Sequence, residues 1–172
     1  VARLEGADKR LKDLCEQYMT DRFADNELML NSMKERLKKE LENVKKYGFA
    51  TIYLHYHDLI RNNELRPSQY IVSGTAAGSI ICFLLGITKA NPLDSELQLY
   101  DEFFAGPEGN KEPGIDLMVD PKVYDKIMKA INMLPGVQMG LYTWNGYGIY
   151  TGGVKIIPED VEVNSLFPID KR

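Results

Sequence analysis

The sequence predicts an α+β fold in which a layer of helices packs on a sheet, and three observations predict it. Two N-terminal stretches carry apolar residues at helical spacing with charged residues between them. Later stretches are short, rich in β-branched and aromatic residues, and punctuated by glycine and proline. Between the two lies Gln69–Gly86 (QYIVSGTAAGSIICFLLG), which reads as strand, tight small-residue loop and buried helix.

Each element follows from local chemistry. Asp8 can cap a first helix whose apolar positions are Leu11, Leu14, Cys15, Tyr18 and Met19. Ala24–Leu30 is a connection. Ser32 and Glu35 form a capping-box pattern ahead of Met33, Leu37, Leu41 and Val44, and Gly48 sits where that helix must end. Its outer face is assigned Lys34, Arg36, Lys38, Lys39, Lys45 and Lys46 against Glu35, Glu40 and Glu42. A solvated face laced with ion pairs explains that best, with a phosphate-tracking surface as the second reading. Phe49–Leu54 (FATIYL) reads as a strand on composition. His55 and His57 follow without a cysteine or third histidine, so a strand-to-helix junction is expected rather than a metal site. Asp58–Asn63 reads as a short helix. Ile115–Val119 reads as a strand with Asp116 in its middle, and Asp120-Pro121 start a helix with a buried stripe of Tyr124, Ile127, Met128 and Ile131. Gly136 stops it. Val137–Trp144, the turn Asn145-Gly146 and Tyr147–Tyr150 read as a hairpin, and Val154–Ile157 as one more strand.

The whole chain bounds the function. Its 172 residues suit one domain with a proper core. No apolar run approaches a membrane span, and the opening VARLEGADKR lacks the apolar core of a signal peptide, so a cytoplasmic protein with no membrane partner is expected. Cys15 and Cys82 fall in apolar helical patterns; buried free thiols are expected, with one disulfide left open. A net charge of −4 disfavours tight autonomous binding to DNA.

Chemistry can sit in two places. The loop Gly74–Ser79 leaves backbone N–H groups uncovered at a helix start, which suits phosphate; small residues also serve where a helix packs closely on a sheet. Asp116 is a carboxylate in an apolar strand, costly unless paired or bound to a cation. Phosphoryl-transfer sites commonly place two carboxylates at i, i+2 of a strand to grip Mg²⁺, but here Gly114 and Met118 flank Asp116 on its face. There is no nucleophile elbow, Walker lysine or zinc spacing. Tyr142, Trp144, Tyr147 and Tyr150 cluster about the hairpin, a pattern more typical of packing than of base stacking.

These motifs, taken in order, resemble one family: the palm region of the C-family bacterial replicative DNA polymerase, the DNA polymerase III alpha subunit, especially its PolC form. Arg36-Leu37 with Glu40-Leu41 resembles the family's RLxxEL helix, followed by Gly48-Phe49-Ala50 and Ile52-Tyr53-Leu54. Gly74-Thr75-Ala76-Ala77-Gly78-Ser79 is similar to its RGSxxGS nucleotide loop, with Gly86-Ile87-Thr88 and Asn91-Pro92-Leu93 beyond. Glu102-Phe103-Phe104, Pro107-Glu108 and Pro113-Gly114-Ile115-Asp116 resemble the segment ending in the catalytic P-D-x-D. Gly152-Gly153-Val154, Ile156-Ile157-Pro158 and Phe167-Pro168-Ile169 resemble the family's later GGIxVVP…FTPI segment, so the likeness runs from about Gly6 to Ile169.

The resemblance implies a palm built like polymerase-beta-type nucleotidyltransferases, with a mixed sheet, helices packed on one face, and a role in DNA replication. It divides the chain into residues 1–31, an N-terminal helix and connection, and a palm core at 32–172. By resemblance Gly74, Thr75, Gly78 and Ser79 hold a deoxynucleoside triphosphate, Asp116 is catalytic and binds Mg²⁺, and the partners are DNA and a replication protein. The departures are as informative. Gly114 stands where the family has its first catalytic aspartate, Ser73 and Gly109 where it has arginines, and its third aspartate has no counterpart before Arg172. The thumb segment is reduced to the hairpin around Asn145-Gly146. Metal ions supply several kcal/mol to phosphoryl transfer, and each 1.36 kcal/mol is tenfold in rate. Losing two of three carboxylates therefore implies at least about a thousandfold loss, and weak or absent Mg²⁺ binding. The expectation is a palm-like module that does not polymerise DNA as this isolated chain. A polymerase part completed by another chain, and a non-catalytic nucleotide-, DNA- or protein-binding module, are the alternatives.

Overall fold

The computed structural model describes residues 4–73, 75–94, 115–134 and 154–156, with backbone alone at 73, 75 and 154–156. Among these residues the fold is α+β and mostly helical: α1 (Ala7–Phe23), α2 (Glu27–Tyr47), α3 (Ala50–Asn62), β1 (Tyr70–Ser73), α4 (Ile80–Leu84), β2 (Asp116–Val119), α5 (Pro121–Asn132) and β3 (Val154–Ile156). No helix among them is long and apolar enough to cross a membrane.

Helix α1 buries Ala7, Leu11, Cys15, Met19 and Phe23, a row repeating every fourth residue. It starts at Gly6 in a left-handed conformation (φ 73°), and Asp8 lies in its first turn rather than at the cap. Helix α2 begins earlier than the Ser32–Glu35 pattern suggests. Asn26 is its cap, accepting a hydrogen bond from the Met29 amide at 3.1 Å, and the helix passes through the 31/32 division unbroken. Gly48 ends it with φ 72°, as the sequence requires.

The stretch Phe49–Leu54 is not a strand. It opens α3, whose residues from Ala50 to His57 are all buried, together with Leu59 and Ile60. A strand preference spans only about 1 kcal/mol per residue, whereas full burial of one Leu or Ile is worth about 1.5–3 kcal/mol. Packing therefore decides the conformation, and a helix buried all round shows no amphipathic period to read. The two histidines lose their shared face with it, because residues two apart on a helix point about 200° apart.

The three strands form a mixed sheet in the order β1-β2-β3. β1 and β2 are antiparallel, pairing Tyr70 with Val119, Ile71 with Met118, Val72 with Leu117 and Ser73 with Asp116. β3 runs parallel to β2, pairing Leu117 with Val154, Met118 with Lys155 and Val119 with Ile156. Tyr70, Val72, Leu117 and Val119 join the main core with the helices, while Ile71, equally buried, stands outside that cluster. Asp120 caps α5 by accepting from the Lys122 amide at 2.8 Å, with Pro121 in the first turn. Cys15 and Cys82 are buried free thiols. The expected Val137–Trp144 strand, the Asn145-Gly146 turn, Gly136 and the clustered aromatics lie outside the described residues.

Candidate functional site

Asp116 is the first residue of β2 rather than its middle. Alternation along the strand leaves Asp116 and Met118 half-buried on one face and Leu117 and Val119 buried on the other. Tyr56 of α3 donates its hydroxyl to the Ile115 carbonyl at 2.7 Å, so a buried hydrogen bond fixes the residue just before the carboxylate. Across the ladder Asp116 faces Ser73, the last residue of β1. The chain thus leaves β1 toward Gly74 at the end of the sheet where the carboxylate stands. Gly74 and Gly114 lie outside the described residues, and the Thr75 backbone opens a short 3-10 turn, Thr75–Gly78.

The far half of the loop carries an arrangement that composition conceals. Glu40 belongs not to the outer face of α2 but to its buried row of Met33, Leu37, Glu40 and Val44. It is completely buried, and its carboxylate meets the start of α4. The Ser79 hydroxyl donates to Oε1 at 2.7 Å, the Ile80 amide to Oε2 at 2.8 Å, and the Ile81 amide to Oε1 at 3.5 Å. Arg36 donates Nε to the same carboxylate at 3.1 Å and Nη2 to the Gly78 carbonyl at 2.9 Å. Ser79 Oγ also accepts from the Cys82 amide at 3.2 Å. The first two orphan amides of α4, those of Ile80 and Ile81, are therefore satisfied by the chain's own carboxylate, and that of Cys82 by Ser79. Burial pushes the Glu40 carboxyl up to about 7, against the donors Ser79, Ile80, Arg36 and Ile81, which pull it down.

Among the residues expected to hold phosphate, Ser79 has its hydroxyl engaged in both directions and no exposed surface. Gly78 offers its carbonyl to Arg36. The sequence signal for Glu40 was a charged residue in phase with an apolar row, four residues after an arginine.

The second polar cluster ties α1 to α3. Arg10 makes a forked pair with Asp58 at 3.0 and 2.8 Å, and His57 Nδ1 lies 2.9 Å from Asp58 Oδ1. His57 Nε2 lies 3.0 Å from the Tyr18 hydroxyl, which accepts from Arg61 at 2.7 Å. Burial alone would raise the Asp58 carboxyl, but the His57 and Arg10 hydrogen bonds outweigh it and hold it at about 2. Among the described residues no group of three His, Cys, Asp or Glu side chains could hold a metal ion. The pair His55 and His57 is no exception: both are buried in α3, and His57 uses its two nitrogens within the cluster.

Comparison with known proteins matches most of the chain to one family. The family model described as the bacterial DNA polymerase III alpha NTPase domain matches residues 9–139. An error-prone DNA polymerase of Idiomarina loihiensis is 31% identical over 121 residues, which is 70% of this chain and 11% of that protein. Proteins of the same name from Rhodopseudomonas palustris and Pseudomonas savastanoi are 29% and 32% identical over 73% and 70% of this chain. The chain spans about a tenth of the length of these relatives. The matched span contains the helix that carries Glu40, the loop it anchors and the strand that begins at Asp116, and the chain belongs to the bacterial DNA polymerase III alpha family.

Proposed function

We propose that this chain is a palm-like module, related to polymerase-beta-type nucleotidyltransferases, that holds a nucleoside triphosphate without catalysing its transfer by itself. The observation that carries the reading is the β1–β2 register. Ser73 opposite Asp116 brings the strand end that enters Gly74-Thr75 and the carboxylate to one end of the sheet. In this reading Gly74 and Thr75 meet the phosphates, while Gly78 and Ser79 hold the loop in shape through Arg36 and Glu40. DNA and a replication protein are the partners by family, and the work belongs to replication or repair in the cytoplasm.

The donor set among the described residues does not fit a two-metal centre. Among the described residues, Asp116 shares its face with Met118 on the same strand and pairs with Ser73 across the ladder, and neither is a second carboxylate. Lys155 pairs with Met118 on the other side. A single carboxylate holds Mg²⁺ weakly.

Titration with a deoxynucleoside triphosphate, with and without Mg²⁺, tests the reading by calorimetry and amide chemical shifts. Saturable binding with shifts at Gly74, Thr75 and Asp116, and little dependence on Mg²⁺, is expected. Silence at these residues would instead favour a module that keeps the family fold for packing alone. The engagement of Ser79 with Glu40 is the observation that favours that second reading.

A further inference from the structure

We infer that the seam between α1 and α2 is a docking groove for an acidic amphipathic helix of a partner polypeptide. This is independent of the nucleotide reading, because the seam is built from α1 and α2 rather than from the sheet end.

The groove is continuous. A cavity of about 640 Å³ and another of about 470 Å³ share Lys12, Leu41 and Lys45 along the seam. From Lys34 to Lys45 it follows α2 for roughly 16 Å, about three helical turns. Its floor includes Met19, Leu37 and Leu41, and its α2 wall carries Lys34, Lys38 and Lys45. At 3.6 residues per turn these three lysines fall within about 40° of one another, so they form one line along the helix. All three are exposed.

The line is electrostatically incomplete. On α1, Lys9 pairs with Asp13 at 2.7 Å and Lys12 with Glu16 at 3.9 Å. Among the described residues no ion pair reaches Lys34, Lys38 or Lys45. Lys34 and Lys38 stand at i, i+4, where like charges repel. A row of unpaired cations over an apolar floor, on a chain of net charge −4, fits carboxylates flanking an apolar stripe. Glu16 and Glu42 stand on the same walls, so the lining carries four lysines against two carboxylates, and the apolar floor between them suits the apolar face of a helix rather than a nucleic-acid backbone.

A fluorescein-labelled synthetic helix of roughly five turns, with leucines on one face and glutamates beside them, tests this by polarisation. Binding that weakens with salt, and falls by roughly tenfold or more in the triple variant Lys34→Glu, Lys38→Glu, Lys45→Glu, is expected. Circular dichroism of that variant should be unchanged, since all three side chains are exposed. A single-site variant, Lys38→Glu, serves if the triple variant misfolds, with a smaller loss in the same direction. Three results would overturn the inference: no binding, equal binding of a peptide with lysines in place of glutamates, or tighter binding of a single-stranded oligonucleotide abolished by the same substitutions. Self-association of the chain that those substitutions remove would overturn it too, by making the occupant a second copy.

Discussion

At the residue scale the decisive side chain is Glu40. Its carboxyl has an ordinary value of 4.5, and burial raises it to about 7 in the fold. Between those values the folded chain holds the proton more firmly than the unfolded chain, so stability from this group falls as pH rises. The contribution is fully present below pH 4.5 and is lost as pH climbs through about 7. Glu40→Gln, a neutral mimic of the protonated carboxyl, should remove that slope. Urea midpoints of both proteins from pH 4 to 8 check it, and parallel curves would mean that Glu40 does not titrate in this window. The residue also shows why charge alone misleads. Lys34, Glu35, Arg36, Lys38, Lys39 and Glu40 look alike in sequence, yet Glu40 has no exposed surface and Arg36 has only 12% of its side chain exposed.

At the element scale, local signals worked where backbone chemistry is self-contained and failed where packing decides. Gly48, Asp120 and Pro121 mark helix ends because a left-handed cap, a side-chain acceptor and a fixed φ act within a few residues. Ser32–Glu35 carries the same letters as a cap but lies inside α2, where the preceding residues Leu28, Met29 and Leu30 are good helix formers. The two candidate caps can be separated by mutation. Asn26→Ala should cost about 1 kcal/mol, whereas Ser32→Ala should stay within about 0.5 kcal/mol. Thermal or urea unfolding measures both, and the opposite order would move the start of α2 to residue 32. Helix α3 is the clearest failure of local reading, since β-branched and aromatic residues at Phe49–Leu54 were recruited to the centre of a helical layer.

At the scale of the whole molecule, the fold brings a loop and a carboxylate from distant parts of the chain to one sheet end. Residues 73 and 116 are neighbours only because β1 and β2 pair antiparallel. Tyr56 in α3 then holds the carbonyl of Ile115, so the helical layer sets where β2 begins. If Gly114 stands where the family has an aspartate, Gly114→Asp should create the i, i+2 carboxylate pair with Asp116. Mn²⁺ affinity, measured by electron paramagnetic resonance, should rise by roughly tenfold or more. Unchanged affinity would count against the correspondence of these two positions.

Spacing, caps and ordered motifs are enough for the α+β class, the C-terminal end of α2, the start of α5, the strands β1, β2 and β3, and the family, because each of these rests on residues close together along the chain. Long-range packing settles that Ala50–Leu54 is helical with Phe49 at its cap, that Glu40 is buried, and that Ser79 engages a carboxylate of its own chain. The physical reason is common to all three. A buried helix, a buried charge and a filled anion site each owe their state to groups far along the chain. Those partners are α1 and α5 for α3, and for Glu40 a loop some forty residues away.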